Sequence, residues 1–171
     1  MVKSPTYFSF PILVFPTDID DGGWTHVRHL PPGNVWFQAT DKLLGTAKYG
    51  TPCGVKCPQE WSIRFDNQDF NQFLFATGDG TKWLIAEKDE VIGGYYTNGL
   101  RTIEKSSSNN NSYQARWYRR SSHKEDPWIS LTDHNTAISQ GDILYAGQST
   151  HYHTQFIETQ GGANVFIRRS K

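Results

Sequence analysis

The sequence predicts an all-β fold assembled from three copies of one four-strand unit, and three observations carry that prediction. Short apolar runs alternate with Gly, Pro, Asn and Asp turn clusters, and no long run has helical spacing. Aromatic residues make up 14% of the chain, with Trp 6 and Tyr 8 against a single Met, a composition that favours strands. Three closing segments, WSIR (61–64), RWYR (116–119) and VFIR (165–168), end in Arg64, Arg119 and Arg168. Their spacing of roughly 50 residues is the mark of an internal repeat. Units that cannot bury their own apolar faces must close on one another, and for three units of short strands the solution is a β-trefoil, a barrel capped by hairpins. The units span about 17–66, 67–120 and 121–171 in a single domain; a β-sandwich or jelly roll is the alternative.

The N-terminal residues 1–16 combine Lys3 with the apolar run YFSFPILVF (7–15), which has the charge and hydrophobicity of a secretory signal. Pro11 interrupts the run and Pro16 ends it, with no small-residue cleavage site beyond, so the segment reads as an opening strand closing against the last one. Residues 17–23 carry three Asp and two Gly and read as an exposed acidic loop; their spacing lacks the distal Glu of an EF-hand calcium loop.

In the first unit, WTHVRHL (24–30), VWFQATD (35–41), LLGTAKY (43–49) and EWSIRFD (60–66) are the strand candidates. Between the last two lies PCGVKCP (52–58). Cys53 and Cys57 there are read as a small loop disulfide or as two free thiols, ahead of half a zinc site or a nucleophile, since no second paired motif exists.

The second unit is the clearest. The run at 73–76 leads into the turn cluster TGDG (77–80), and residues 82–87 return as a hairpin partner. A third strand is predicted over 91–96 and a fourth over 115–119. Between them, SSSNNNS (106–112) is an exposed loop containing the glycosylation acceptor pattern Asn110-Asn111-Ser112. The charged stretch at 119–126 connects to the third unit, where WISLTDHN (128–135), TAISQGD (136–142), ILYAG (143–147) and NVFIRRS (164–170) are the strand candidates.

The hairpin GTKWLIAE (80–87), with Val91 and the later Ala115-Arg-Trp117, resembles the repeat of fascin-type β-trefoils, in which a Gly-Lys-aromatic-Leu-x-Ala-Glu hairpin precedes a Trp-containing closing strand. The likeness covers about one third of the chain well. It departs at the matching strands VWFQAT (35–40) and TAISQG (136–141). Similar units occur in plant agglutinins, fungal lectins and actin-bundling proteins, so the resemblance implies fold more than activity.

Seventeen Lys and Arg balance seventeen Asp and Glu, which leaves no global field to favour nucleic acid or an anionic membrane. No apolar stretch is long enough to cross a bilayer as a helix. The expectation is a soluble chain, cytoplasmic or secreted without a recognisable cleaved signal, with its oligomeric state, a homodimer included, left open. Nucleophile-elbow, phosphate-loop, dinucleotide and zinc-protease motifs are all missing from the sequence.

Sugar recognition needs an aromatic face against the C–H side of a pyranose and planar polar groups that fork onto its hydroxyls. The repeated places that supply both are Asp79, Tyr95, Tyr96 and Asn98 in the second unit and Asp133, His134, Tyr145 and Tyr152 in the third, with Asp41 and Tyr49 a fainter echo in the first. The leading reading is therefore a non-enzymatic carbohydrate-binding lectin with shallow loop-lined sites, needing no cofactor or metal, whose partners are glycans or glycoproteins. About two thirds of the aromatic rings would still be core. The alternative is a trefoil protease inhibitor or other protein-binding module, for which the Pro52 to Pro58 loop has the best bracing. A second alternative is a metal-dependent enzyme built on His151 and His153, whose imidazoles would share one strand face.

Overall fold

Uninterrupted apolar runs in this chain belong to strands buried on both faces, and the sheet they form sets the architecture. The computed structural model describes residues 16–32, 41–92, 99–117, 126–135, 139–140, 142–146 and 161–171. Strands β1 (Thr25–Leu30), β2 (Trp61–Ser62), β3 (Gln72–Thr77) and β4 (Trp83–Glu87) come first, followed by a single helical turn, α1 (Lys88–Ile92). Then come β5 (Gly99–Ile103), β6 (Lys105–Ser106), β7 (Tyr113–Trp117), β8 (Ile129–Ser130), β9 (His134–Asn135), β10 (Ser139–Gln140), β11 (Ile143–Tyr145) and β12 (Ala163–Arg168).

Six of these form one antiparallel sheet in the order β2-β1-β12-β3-β4-β6. Along β3, Phe73 and Phe75 point into the main core while Leu74 and Ala76 point into a second cluster on the opposite face. β12 repeats the pattern, with Val165 and Ile167 on one side and Phe166 on the other. A strand covered on both faces has no polar alternation, which is why these runs are continuously apolar. Each fully buried Phe or Leu contributes about 1.5–3 kcal/mol.

The ladders β5–β7 and β8–β11 supply Ile103, Ala115, Trp117, Ile129, Ile143 and Tyr145 to the main core. Trp117 Nε1 donates to the Ser130 carbonyl at 2.8 Å and Tyr113 Oη to that of Leu131 at 2.8 Å, which fixes β7 beside β8. After Ile103 the chain changes sheets: Glu104 N–H bonds the Ile85 carbonyl, and Lys105 and Ser106 pair with β4. On the other face the second cluster is closed by the 3-10 turn Pro16–Asp21 through Ile19, and by Trp24, whose indole N–H donates to the Ile19 carbonyl at 2.7 Å.

The all-β antiparallel expectation holds, and β1, β3, β4, β7 and β12 fall on segments expected to be strands. The third strand expected over 91–96 does not begin as one. Lys88–Ile92 is a helical turn, with Asp89 and Glu90 in its first turn where the exposed backbone N–H groups favour acidic side chains; residues 93–98 lie outside the described residues, as does the expected opening strand at 1–15.

The threefold equivalence is not visible in the described pairings. In a threefold barrel β12 would flank β1 and the opening strand of its own unit, β8; its second neighbour here is β3, and β8 pairs with β11. Arg64 and Arg168 also differ. Arg64 lies outside any strand, its side chain 61% exposed and bonded to Asp66, whereas Arg168 ends β12 at 13% exposure with its guanidinium 4.1 Å over the Trp24 ring. Arg119 lies outside the described residues.

Candidate functional site

Polar residues in this structure divide into those that hold the core together and those that remain available at its surface. The first group centres on Arg28. A bulge in the β1–β12 pairing falls between His26 and Arg28, and it places Arg28 in the core with its side chain 1% exposed. Its Nη1 and Nη2 donate to both Asp41 oxygens at 3.0 and 2.9 Å, Nη1 also reaches Asp126 Oδ2 at 2.6 Å, and Nε reaches Ser62 Oγ at 3.0 Å. Tyr145 Oη donates to Asp126 Oδ2 at 2.5 Å, and the Leu43 amide to Asp126 Oδ1 at 3.0 Å.

Burial tends to raise the Asp41 carboxyl, but hydrogen bonds and charge from Arg28 outweigh it and hold the group at about 2. Burial raises the Asp126 carboxyl above its ordinary range although Arg28 opposes the shift. Two carboxylates sharing one guanidinium are thus held unequally.

This network corrects part of the sugar-site expectation. Tyr145 is fully buried, its phenol engaged with Asp126, so its ring offers no face to a ligand. Asp41, with its side chain 5% exposed, is likewise a core ion-pair partner. Tyr49 is half-buried against the main core, and its backbone bridges Ser62.

The available group is at the β3–β4 turn. Thr77, Gly78, Asp79, Gly80 and Thr81 make the connection, closed by Thr77 N–H to the Lys82 carbonyl at 2.9 Å and Gly80 N–H to the Thr77 carbonyl at 2.9 Å. Asp79 is exposed, and its Oδ1 accepts from Thr77 Oγ1 at 2.6 Å, Thr81 N at 3.0 Å and Thr81 Oγ1 at 2.8 Å. Burial would raise this carboxyl, yet the bonds from Thr77 and Thr81 bring it below its ordinary value. Oδ2 accepts no hydrogen bond from the described residues. Among the described residues, therefore, the carboxylate is oriented through Oδ1 alone.

Asp79 borders a groove of about 310 Å³ whose other lining residues are Pro32, Val55, Lys56, Gly78 and Gly161. Two of its lining residues meet in a backbone crossing: a Cβ on Gly78 would sit 2.0 Å from the Gly161 carbonyl oxygen, so only glycine permits the approach. One wall is the loop enclosed by Cys53 and Cys57, which form a disulfide, resolving the two readings of that pair. The loop is held from within by buried His29, whose Nε2 lies 2.8 Å from the Cys57 carbonyl and whose Nδ1 lies 2.7 Å from Asn164 Oδ1. Lys56 on that loop is exposed and makes no ion pair with a described residue.

Of the other expected site residues, Asp133 is exposed and accepts the Arg116 amide through Oδ1 at 2.7 Å, away from this groove. His134 begins β9, its backbone paired with Gln140. Tyr95, Tyr96, Asn98 and Tyr152 lie outside the described residues, and so do His151 and His153. Sequence reasoning missed Pro32, Val55, Lys56, Gly78 and Gly161 as companions of Asp79. The paired prolines around the cysteines and the Gly161-Gly162 doublet were the only local signals.

Among the described residues no group of three or more His, Cys, Asp or Glu is placed to hold a metal, and no helix is long and apolar enough to cross a membrane. Comparison with protein-family models, with curated proteins and with solved structures finds no match to this chain.

Proposed function

We propose that the chain is a carbohydrate-binding protein without enzymatic activity, and that the Asp79 groove is one of its sugar sites. The observation that carries this is the half-occupied Asp79 carboxylate on the rim of a shallow, largely apolar groove. Oδ2 would accept a sugar hydroxyl, Lys56 Nζ would donate to a neighbouring oxygen, and Pro32 with Val55 would meet the C–H face. The groove is aliphatic where an aromatic ring was expected. This makes a weak single site.

The fold enters this reading as an all-β scaffold. Of its two finer forms, packed sheets suit the strand order better than a trefoil, since β12 lies between β1 and β3. The disulfide and the exposed Asn110 in its acceptor pattern suit a secreted glycan binder.

A glycan array probed at high protein concentration tests the proposal. Binding to a defined subset of glycans, lost in Asp79→Asn with the thermal midpoint retained, is the expected result; no signal on any glycan ends it. One observation favours a second reading, a protein-binding loop of the inhibitor kind: Pro52, Cys53, Gly54, Lys56 and Pro58 are exposed on a segment braced by a disulfide and by His29. A panel of proteases inhibited by the wild-type chain, but not after Lys56→Ala, would select that reading.

A further inference from the structure

At the end of the sheet remote from the Asp79 turn, a cleft of about 440 Å³ is lined by Asp20, Asp21, Gly22, Gly23, Lys105, Arg168, Arg169, Ser170 and Lys171. It shares no lining residue with the Asp79 groove. Four cationic side chains line it with the carboxylates of Asp20 and Asp21, and Asp69 meets Arg169 from outside the lining, so cations outnumber anions by one.

The cations are held in place. Arg168 donates through Nε to Gln72 Oε1 at 3.0 Å, through Nη1 to the Asp20 and Gly22 carbonyls at 2.7 and 3.0 Å, and through Nη2 to Asp20 Oδ2 at 2.6 Å. Its other face stacks on Trp24. The other Asp20 oxygen takes Lys105 Nζ at 2.7 Å. One carboxylate therefore bridges a guanidinium and an ammonium and fixes them side by side, while one Nη2 hydrogen and two Nζ hydrogens are taken up by no described residue. Arg169 holds Asp69 through Nη1 alone, and Lys171 makes no ion pair with a described residue.

The turn opposite is shaped by four consecutive residues with positive φ, Asp20, Asp21, Gly22 and Gly23 at 49°, 66°, 74° and 78°. That conformation is what presents the Asp20 and Gly22 carbonyls to Arg168. The local charge that would otherwise repel Lys105 from Arg168 is only partly compensated by Asp20, and Asp21 makes no bond with a described residue.

We infer that this cleft binds a tetrahedral oxyanion, a sulfate or phosphate group, which would sit on the outer faces of Lys105 and Arg168 with Lys171 and Arg169 closing over it. Donors on Lys105, Arg168 and Lys171 that no described residue takes up are what an oxyanion would accept from. Charge-assisted hydrogen bonds to oxyanions are the strong class, and two neighbouring cations already locked in place lose little freedom on binding. The inference does not depend on the sugar reading. Sulfate esters and phosphate monoesters share this chemistry, and the experiment separates them.

The test is a heteronuclear NMR titration of the full chain with sodium sulfate and, separately, sodium phosphate, at constant ionic strength with chloride as the balancing anion. Saturable shifts at the amides of Asp21, Gly22, Gly23, Lys105 and Arg169 are expected with at least one dianion, and the tighter of the two names the source. The double variant Arg169→Glu, Lys171→Glu alters only exposed side chains. It should weaken binding about tenfold or more, the scale of two charge reversals near solvent, and Asp79→Asn should leave it unchanged. Shifts that stay linear in both dianions, or a double variant that binds as the wild type does, would overturn the inference.

Discussion

Arg28 and Asp126 meet at 2.6 Å in the core although 98 positions separate them in the chain. The contact ties β1 to the start of the third segment, and Asp41, Ser62, Leu43 and Tyr145 converge on the same pair. Arg28 is the one cation shared by the Asp41 and Asp126 carboxylates, and removing it leaves buried negative charge uncompensated, at a cost of about 3–5 kcal/mol. Arg28→Ala is therefore expected to lower stability by that amount in urea unfolding. Tyr145→Phe, which removes only the phenol bond, should lose about 1–2 kcal/mol. An Arg28→Ala protein as stable as wild type would show that the network does not form.

Acid should destabilise the fold well above the usual carboxylate range. His26 stacks on Phe166 at 4.4 Å and meets the Trp61 ring edge-on at 4.5 Å. Burial, with the neighbouring His29 charge adding to it, pushes the His26 imidazole from 6.5 down to about 3. Between those values the unfolded chain binds a proton that the native one excludes, so stability falls on acidification by about 1.4 kcal/mol per pH unit. Asp41, depressed from 3.8 to about 2, continues the loss below. Asp126, raised by burial, works in the opposite sense. His26→Phe should keep the melting temperature level from pH 6.5 down to the carboxylate range; a wild-type profile already flat there removes the argument.

Gly78→Ala would drive a methyl group into the Gly161 carbonyl, with backbone on both sides and no flexible side chain to yield. A loss of about 3 kcal/mol or more is expected, at the upper end for single substitutions. Gly54→Ala is the control. No atom lies within 4 Å of its added Cβ, so it meets only the strain of its own positive φ of 84°. Equal unfolding midpoints for the two variants would contradict the crossing.

Reduction of Cys53–Cys57 should lower stability modestly, since the loop it closes spans only four positions. Chain-entropy arguments give about 2 kcal/mol for so short a loop. Unfolding with and without reductant measures it, and Cys53→Ser, Cys57→Ser should match the reduced protein. Because Val55 and Lys56 lie inside that loop, any ligand of the Asp79 groove should bind more weakly after reduction.

Local pattern was enough to read the β3–β4 hairpin, whose turn cluster at 77–80 sits between two apolar runs and now carries the register Ala76↔Trp83 and Leu74↔Ile85. It failed at Val91 and Ile92, because one helical turn and the start of a strand bury the same kind of residue. Tyr145 was read as a surface ring because nothing near it in sequence shows that Asp126 waits in the core. The same limit hid the companions of Asp79. Lys56 and Gly161 reach it only through the His29 contact to Cys57 and the six-pair alignment of β12 with β3. The Trp-Ser-Ile-Arg and Val-Phe-Ile-Arg endings reflect similar strand chemistry placed in unlike surroundings: Arg64 is exposed and Arg168 stacks on Trp24.

The place of β12 in the middle of the long sheet has a consequence for biosynthesis. Every strand that flanks it emerges from the ribosome first, so until residues 163–168 appear, β1 and β3 face outward with unpaired backbone along edges that template aggregation. A chain truncated ahead of Ala163 would lack the strand that joins β1 to β3 and would keep both of those edges unpaired.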